Sequence, residues 1–207
     1  MNGYVVPPLR FATVHDRPGL YRGAYPRKIN LTFFERLKLR CVLSVTPEPL
    51  EPEVATWFDG QGIERIHIKC QKASKKGIFS HDLIVTVLGL MIQQEKAPMY
   101  VHCINGEEIT SIIIGCLRKI DYWSLPDLIS EISRFIDGTP PSSTITFLEK
   151  FTCEINIPHN VVNWLWRGVS EPGAVIAKHP FVSVTYADEK KQRRSQELCL
   201  RSELAPT

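Results

Sequence analysis

Between residues 98 and 119 the chain passes from an apolar run, residues 98–102, through a polar stretch that holds Gly106, residues 104–108, into a strongly apolar run, residues 110–119. The first run has the length of a buried strand and the last that of a buried helix, so a strand is expected to hand over to a helix through a short turn. That arrangement belongs to a layered α/β structure. The rest of the sequence repeats the alternation. Short strands are expected at residues 10–14 and 20–24, with Asp16, Pro18 and Gly19 turning the chain between them. Asn30 is placed to cap a helix reaching about Leu39, with Leu31, Phe34 and Leu37 at helical spacing. Residues 41–46 read as a fully buried strand, and Thr46-Pro-Glu-Pro forces an extended turn because each residue before a proline is pushed out of the α region. A helix at 51–59, a half-buried strand at 63–69, a polar loop at 71–79 and a helix from Ser80 or Asp82 to about Glu95 complete the first half. Further helices are expected from Ser124, and from Ser142 or Ser143. The expected fold is α/β, with a mostly parallel central sheet flanked by helices.

Composition sets the class. With 43% hydrophobic and 23% charged residues the chain has the balance of a globular protein, and 207 residues bury a core without a disulfide or metal staple. Residues 1–8, with Pro7 and Pro8, read as an N-terminal arm, residues 9–153 as one domain, and residues 154–207 as a C-terminal extension, partly disordered. That extension carries Trp164, Leu165 and Trp166, a strand at 181–186 and a charged stretch at 188–203. A net charge of +3 is too slight for a nucleic-acid footprint. No apolar run approaches the roughly 20 residues that span a bilayer, and the N-terminus lacks the basic-then-apolar order of a signal peptide. A cytoplasmic protein that engages neither nucleic acid nor membrane is expected. The six cysteines, at 41, 70, 103, 116, 153 and 199, form no C-x-x-C pair, so neither a metal nor a cofactor is expected. Cys41, Cys70 and Cys116 lie in apolar runs and read as small buried hydrophobes.

Cys103 has a context that asks for chemistry. A turn between strand and helix gathers backbone N–H groups around an anion at the positive end of a helix dipole. A thiolate at the start of such a turn is stabilised by the same field. Cysteine phosphatases use this architecture: the thiolate attacks phosphorus, the amides hold the phosphoryl oxygens, and a phosphocysteine forms before hydrolysis. They also need an arginine six positions on, as a bidentate clamp; here that position is Ile109. A hydroxyl to assist the leaving thiolate is offered by Thr110.

Tyr100-Val-His-Cys103 followed five residues later by Ile109-Thr110, then Gly115-Cys-Leu-Arg-Lys119 and Trp123-Ser124, resembles the plant-and-fungal atypical dual-specificity phosphatases. Gly19-Leu-Tyr-Arg-Gly23 with Tyr25-Pro26, and the strand at 41–46 with Pro47-Glu48, agree in order. Within that family the chain is most similar to the fungal proteins named for oxidant-induced cell-cycle arrest. The resemblance spans residues 9–153 and implies a cysteine-phosphatase fold. It implies Cys103 as nucleophile, His102 as the neighbour that tunes it, and a phosphate cradle of Ile104, Asn105, Gly106, Glu107, Glu108 and Ile109. Active members carry lysine, histidine and arginine where Glu107, Glu108 and Ile109 stand. The family's general acid falls at Ser80, His81 or Asp82, and a phosphorylated protein or an inositol pyrophosphate is the implied ligand. Association with paralogous family members is implied as well, with the extension's Trp164, Leu165 and Trp166 either meeting a partner or packing back on the domain.

Three readings stay open at this point: a pseudophosphatase that binds or scaffolds, a weakly active phosphatase that borrows a cation from Arg118 or from lysines 72, 75 and 76, and a redox sensor pairing Cys103 with Cys70.

Overall fold

The computed structural model of the chain describes residues 5–70, 80–158, 160–167 and 179–186. The lysine-bearing stretch 72–76, the charged stretch 188–203 and Cys199 lie outside the described residues.

Five strands make the central sheet. β1 (Ala12–His15) runs antiparallel to β2 (Leu20–Gly23). The other pairings are all parallel: β2 with β5 (Met99–His102), β5 with β3 (Cys41–Thr46), and β3 with β4 (Glu64–Lys69). The order across the sheet is therefore β1-β2-β5-β3-β4. All six residues of β3 and all four of β5 are buried, as continuous apolar runs in a parallel sheet covered on both faces must be. Side chains alternate between the faces with the period of two that a strand imposes. Met99 and Val101 join the larger core cluster with Cys41, Leu43 and Val45, whereas Tyr100 and Val42 join the smaller one.

Helices follow that division. The smaller cluster is closed by α1 (Leu31–Leu37) and α2 (Pro52–Gly60) through Phe34, Val54 and Phe58. The larger is closed by α3 (His81–Met91), α4 (Glu108–Ile120), α5 (Leu125–Ser133) and α6 (Ser142–Lys150). Every residue of α4 from Thr110 to Ile120 is buried, which is why its sequence reads apolar almost all round. Its two cations are satisfied in place. Lys119 Nζ donates to the Leu148 and Glu149 carbonyls, capping the end of α6, and Arg118 bonds Glu131 and the Val14 carbonyl. Arg118 is therefore not available to the turn. Ser124 caps α5 as expected, accepting from the Asp127 N–H. Asn30 works differently: its Oδ1 accepts from the Arg27 N–H and its Nδ2 reaches the Val6 carbonyl, tying the N-terminal segment to the domain.

Beyond α6 the expected strand at 181–186 is present, and its partner is a strand that was not expected. β6 (Cys153–Ile157) pairs in parallel with β7 (Val182–Tyr186) as a separate two-stranded sheet, with Cys153, Ile155 and Ile157 buried between exposed Glu154 and Asn156. Trp164, Leu165 and Trp166 are buried in the main core, and Trp166 Nε1 donates to the Ile120 carbonyl at the end of α4. These aromatics close the domain; they do not form an exposed face for a partner. Among the described residues no helix is long and apolar enough to cross a membrane.

Candidate functional site

β5 ends at His102, which puts Cys103 outside the carboxyl end of the sheet's central strand, where open α/β sheets place their ligands. The turn after it is pressed onto the neighbouring strand. Gly106 has φ +74°, and a Cβ there would stand 2.7 Å from the Gly23 carbonyl carbon and 2.8 Å from the Ala24 nitrogen. Only glycine meets both demands. The Tyr25 N–H donates to the Ile104 carbonyl, a second tie to the chain leaving β2.

Arg22 of β2 underlies the turn. It is fully buried, and its Nη2 donates to the Gly106 carbonyl at 3.0 Å and to Ser111 Oγ at 2.7 Å, with the guanidinium 3.7 Å over the Phe135 ring. Its Nε and Nη1 have no hydrogen-bond partner among the described residues. Burial lowers its pKa to about 10, against the pull of Glu131 and the Cys103 sulfur, so it stays charged at neutral pH. A second arginine sits at the rim. Arg10, itself at φ +54°, donates from Nε to the Phe135 carbonyl and pairs through Nη2 with Glu107 and Asp137. Neither arginine stood out in the sequence. The signal for Arg22 is a charge inside the strand Leu20-Tyr-Arg-Gly23; Arg10 carries none.

The thiol is 1% exposed. Its sulfur accepts from the Gly106 N–H at 3.3 Å, and its S–H donates to Asn105 Oδ1 at 3.6 Å. The same Asn105 oxygen accepts from the Glu107 N–H at 3.1 Å, while Asn105 Nδ2 donates to the Glu107 carboxylate. Ile104 is half exposed, Thr110 is fully buried with no hydrogen-bond partner for its hydroxyl among the described residues, and Ile109 packs against the main core. Glu108 opens α4, and its side chain makes no hydrogen bond or ion pair among the described residues.

His81 and Asp82 begin α3. The His81 ring bonds the Thr152 carbonyl and lies against Phe151, and the Asp82 side chain is 98% exposed. Ser80, not Asp82, occupies the N-cap position. None of the three bonds the turn among the described residues. Cys70 directly follows β4, and β3 lies between that strand and β5; no disulfide joins Cys70 to Cys103.

His102 is buried between Ser44 and its own chain. Nδ1 faces the Cys103 carbonyl at 3.2 Å, which only accepts, so Nδ1 carries the proton and Nε2 accepts from the Ser44 hydroxyl at 2.8 Å. Burial drives its pKa down to about 4. The folded state thus binds this proton less readily than the unfolded chain, near 6.5. The stability it confers is complete above about pH 6.5 and is lost as pH falls towards 4. Between pH 7 and pH 5 this amounts to about 2 kcal/mol. Urea midpoints for the unmodified chain should fall accordingly, and the fall should shrink in a His102→Gln variant; equal falls would refute the assignment.

A mostly parallel sheet with a cysteine beyond its central strand, cupped by an amide-lined turn that opens a buried helix, defines the cysteine-phosphatase class of fold. The profile of the tyrosine phosphatase family matches residues 5–170, and the chain belongs to that family. The match takes in Trp164 to Trp166. Its relatives include the Saccharomyces cerevisiae protein named "Putative tyrosine-protein phosphatase OCA6", 37% identical over 168 residues, covering 74% of each chain. Rice inositol diphosphatase DSP1 is 32% identical over 151 residues, covering 72% of this chain and 67% of its own. Among solved structures, the catalytic core of the S. cerevisiae PP-IP phosphatase SIW14 with citrate superposes with a TM-score of 0.64 at 29% identity, covering 70% of this chain and 87% of that one.

Proposed function

We propose that this chain is a catalytically impaired family member, a pseudophosphatase that keeps the phosphoryl-binding turn for recognition and works in the cytoplasm in assembly with paralogous members. The observation that carries the reading is where the charge around Cys103 goes. Ile109, at the clamp position, packs into the core. Arg22 lies fully buried beneath the turn and gives only Nη2, to Gly106 and Ser111, while Arg10 is engaged by Glu107, Asp137 and the Phe135 and Asn105 carbonyls. The clamp position itself holds no arginine, and the loss of that role costs on the order of 10³-fold or more. The names of the relatives support a phosphorylated protein or an inositol pyrophosphate as ligand, and the family membership supports a retained turn.

Turnover tests it. The unmodified chain should hydrolyse a phosphotyrosine analogue at least about 10³-fold more slowly than SIW14, and Cys103→Ser should change little. A rate comparable to SIW14 that Cys103→Ser abolishes would make the chain an enzyme. Co-purification of paralogues with the tagged full chain checks the assembly; recovery of the chain alone would overturn that part. A weakly active phosphatase is the second reading, favoured by the Gly106 N–H on the Cys103 sulfur, which would stabilise a thiolate. On that reading Cys103 is the nucleophile, His102 its tuning neighbour and Thr110 the assisting hydroxyl.

A further inference from the structure

Four groups around Cys103 form one closed series. The thiol donates to the Asn105 carboxamide oxygen, the carboxamide nitrogen donates to the Glu107 carboxylate, and that carboxylate pairs with Arg10. The carboxamide oxygen also takes the Glu107 N–H. It therefore occupies the Glu107 N–H, a donor that the oxygen of an entering phosphoryl group would use, and covers the Cys103 sulfur. Displacing it leaves the Glu107 carboxylate still beside Arg10, because the Arg10 head is anchored independently on the Phe135 carbonyl. At the rim Arg10 then faces Glu107 and Asp137, with Glu108 at the first position of α4 and its side chain unbonded among the described residues; the other guanidiniums nearby, Arg22 and Arg134, lie against the Phe135 ring, Arg22 buried beneath the turn. Asp137, paired with Arg10 at 3.0 Å, is 94% exposed.

Such a rim sorts ligands by charge pattern. A molecule that is anionic all round meets the carboxylates wherever it turns, and like charges in close juxtaposition are strongly disfavoured. A phosphoryl group flanked by cations places its own charge in the turn and its neighbours on Glu107 and Glu108. The depth of the thiol, 1% exposed, calls for a long carrier for the phosphoryl group, as a phosphotyrosine side chain provides. Resting on the reading of this turn as a phosphoryl site, we propose that the ligand is a phosphotyrosine segment of a protein with lysine or arginine beside the phosphoresidue, and that the rim carboxylates exclude inositol pyrophosphates.

The test uses the full chain and three probes titrated at low salt: a phosphotyrosine peptide with flanking lysines, the same peptide with flanking glutamates, and diphosphoinositol pentakisphosphate. The lysine peptide should bind at least about tenfold tighter than the glutamate peptide, with the inositol pyrophosphate no tighter than the latter. In the paired variant Glu107→Gln, Glu108→Gln the two peptides should converge and the inositol pyrophosphate should gain. Equal affinity of the two peptides for the unmodified chain overturns the proposal, as does tighter binding of the inositol pyrophosphate or no binding of any probe. Phosphate release from the same peptides is followed in parallel. Fast release that depends on Cys103 would refute the impaired-enzyme reading while leaving the charge preference standing.

Discussion

The triple substitution Glu107→Lys, Glu108→His, Ile109→Arg is expected to raise hydrolysis of a phosphotyrosine analogue by about 10³-fold or more, while Ile109→Arg alone recovers little. Three charges act on one phosphoryl group, so their effects do not add. A carboxylate about 6 Å from a phosphate contributes roughly 3 kcal/mol of repulsion per unit charge at an effective dielectric of 20, which a single added arginine must first overcome. Ile109 also packs against the core, so an arginine there gives up burial before it reaches the turn. Removing Glu107 frees Arg10 from its rim partner, which adds a cation within reach of the ligand. Phosphate release by both variants, with thermal melting to confirm that each is folded, decides the matter. A folded triple variant no faster than the unmodified chain, or a single variant as fast as the triple, would show that the missing charges are not what limits this site.

Gly106→Ala is expected to destabilise the fold by about 3 kcal/mol, the sum of a left-handed backbone that a side chain resists and an overpacked contact. For a chain of this size that lowers the melting temperature by roughly 6–12 °C. Gly62→Ala is the internal control. Gly62 has a closely similar φ, +68°, but a Cβ there would meet nothing within 4 Å. It should cost only the backbone share, about 1 kcal/mol. The difference between the two variants measures how firmly the turn is pressed onto β2 at Gly23 and Ala24. Equal losses would mean that the turn lifts off that strand to make room.

Strands buried on both faces were the most legible part of the fold. Residues 41–46 are continuously apolar save for Ser44 and Thr46, and they form β3 with the expected bounds. The turn and α4 were legible because glycine, a polar stretch and an apolar run come in immediate succession. β6 was not foreseen although Cys153, Ile155 and Ile157 alternate with Glu154 and Asn156. Five residues of alternation make a weak local signal, and the partner strand lies beyond Phe181. The role of Trp164 to Trp166 was undecidable from sequence, since a buried aromatic and an interface aromatic have the same composition; burial against α4 settles it. Arg22 and Arg10 escaped notice for a different reason. Their partners lie at residues 106 to 137, and separations of that order leave no trace in local periodicity. His81 and Asp82 were named from the resemblance, and local spacing says nothing of which way they face.

The sheet order has a consequence for how the protein is made. β5 lies between β2 and β3, yet it is synthesised last of the five strands. Roughly 80 residues separate the end of β2 from the end of β5, so at 5–20 residues per second β2 waits about 4–16 s on the ribosome for the neighbour it needs. During that interval β3 is available with a row of unpaired N–H and C=O groups open on the side that β5 will fill. The contacts that close the sheet join distant parts of the chain, which slows folding relative to locally connected helical proteins. A nascent chain stopped before Met99 should therefore remain protease-sensitive and bind holdase chaperones, and protection should arise abruptly once the central strand has cleared the exit tunnel.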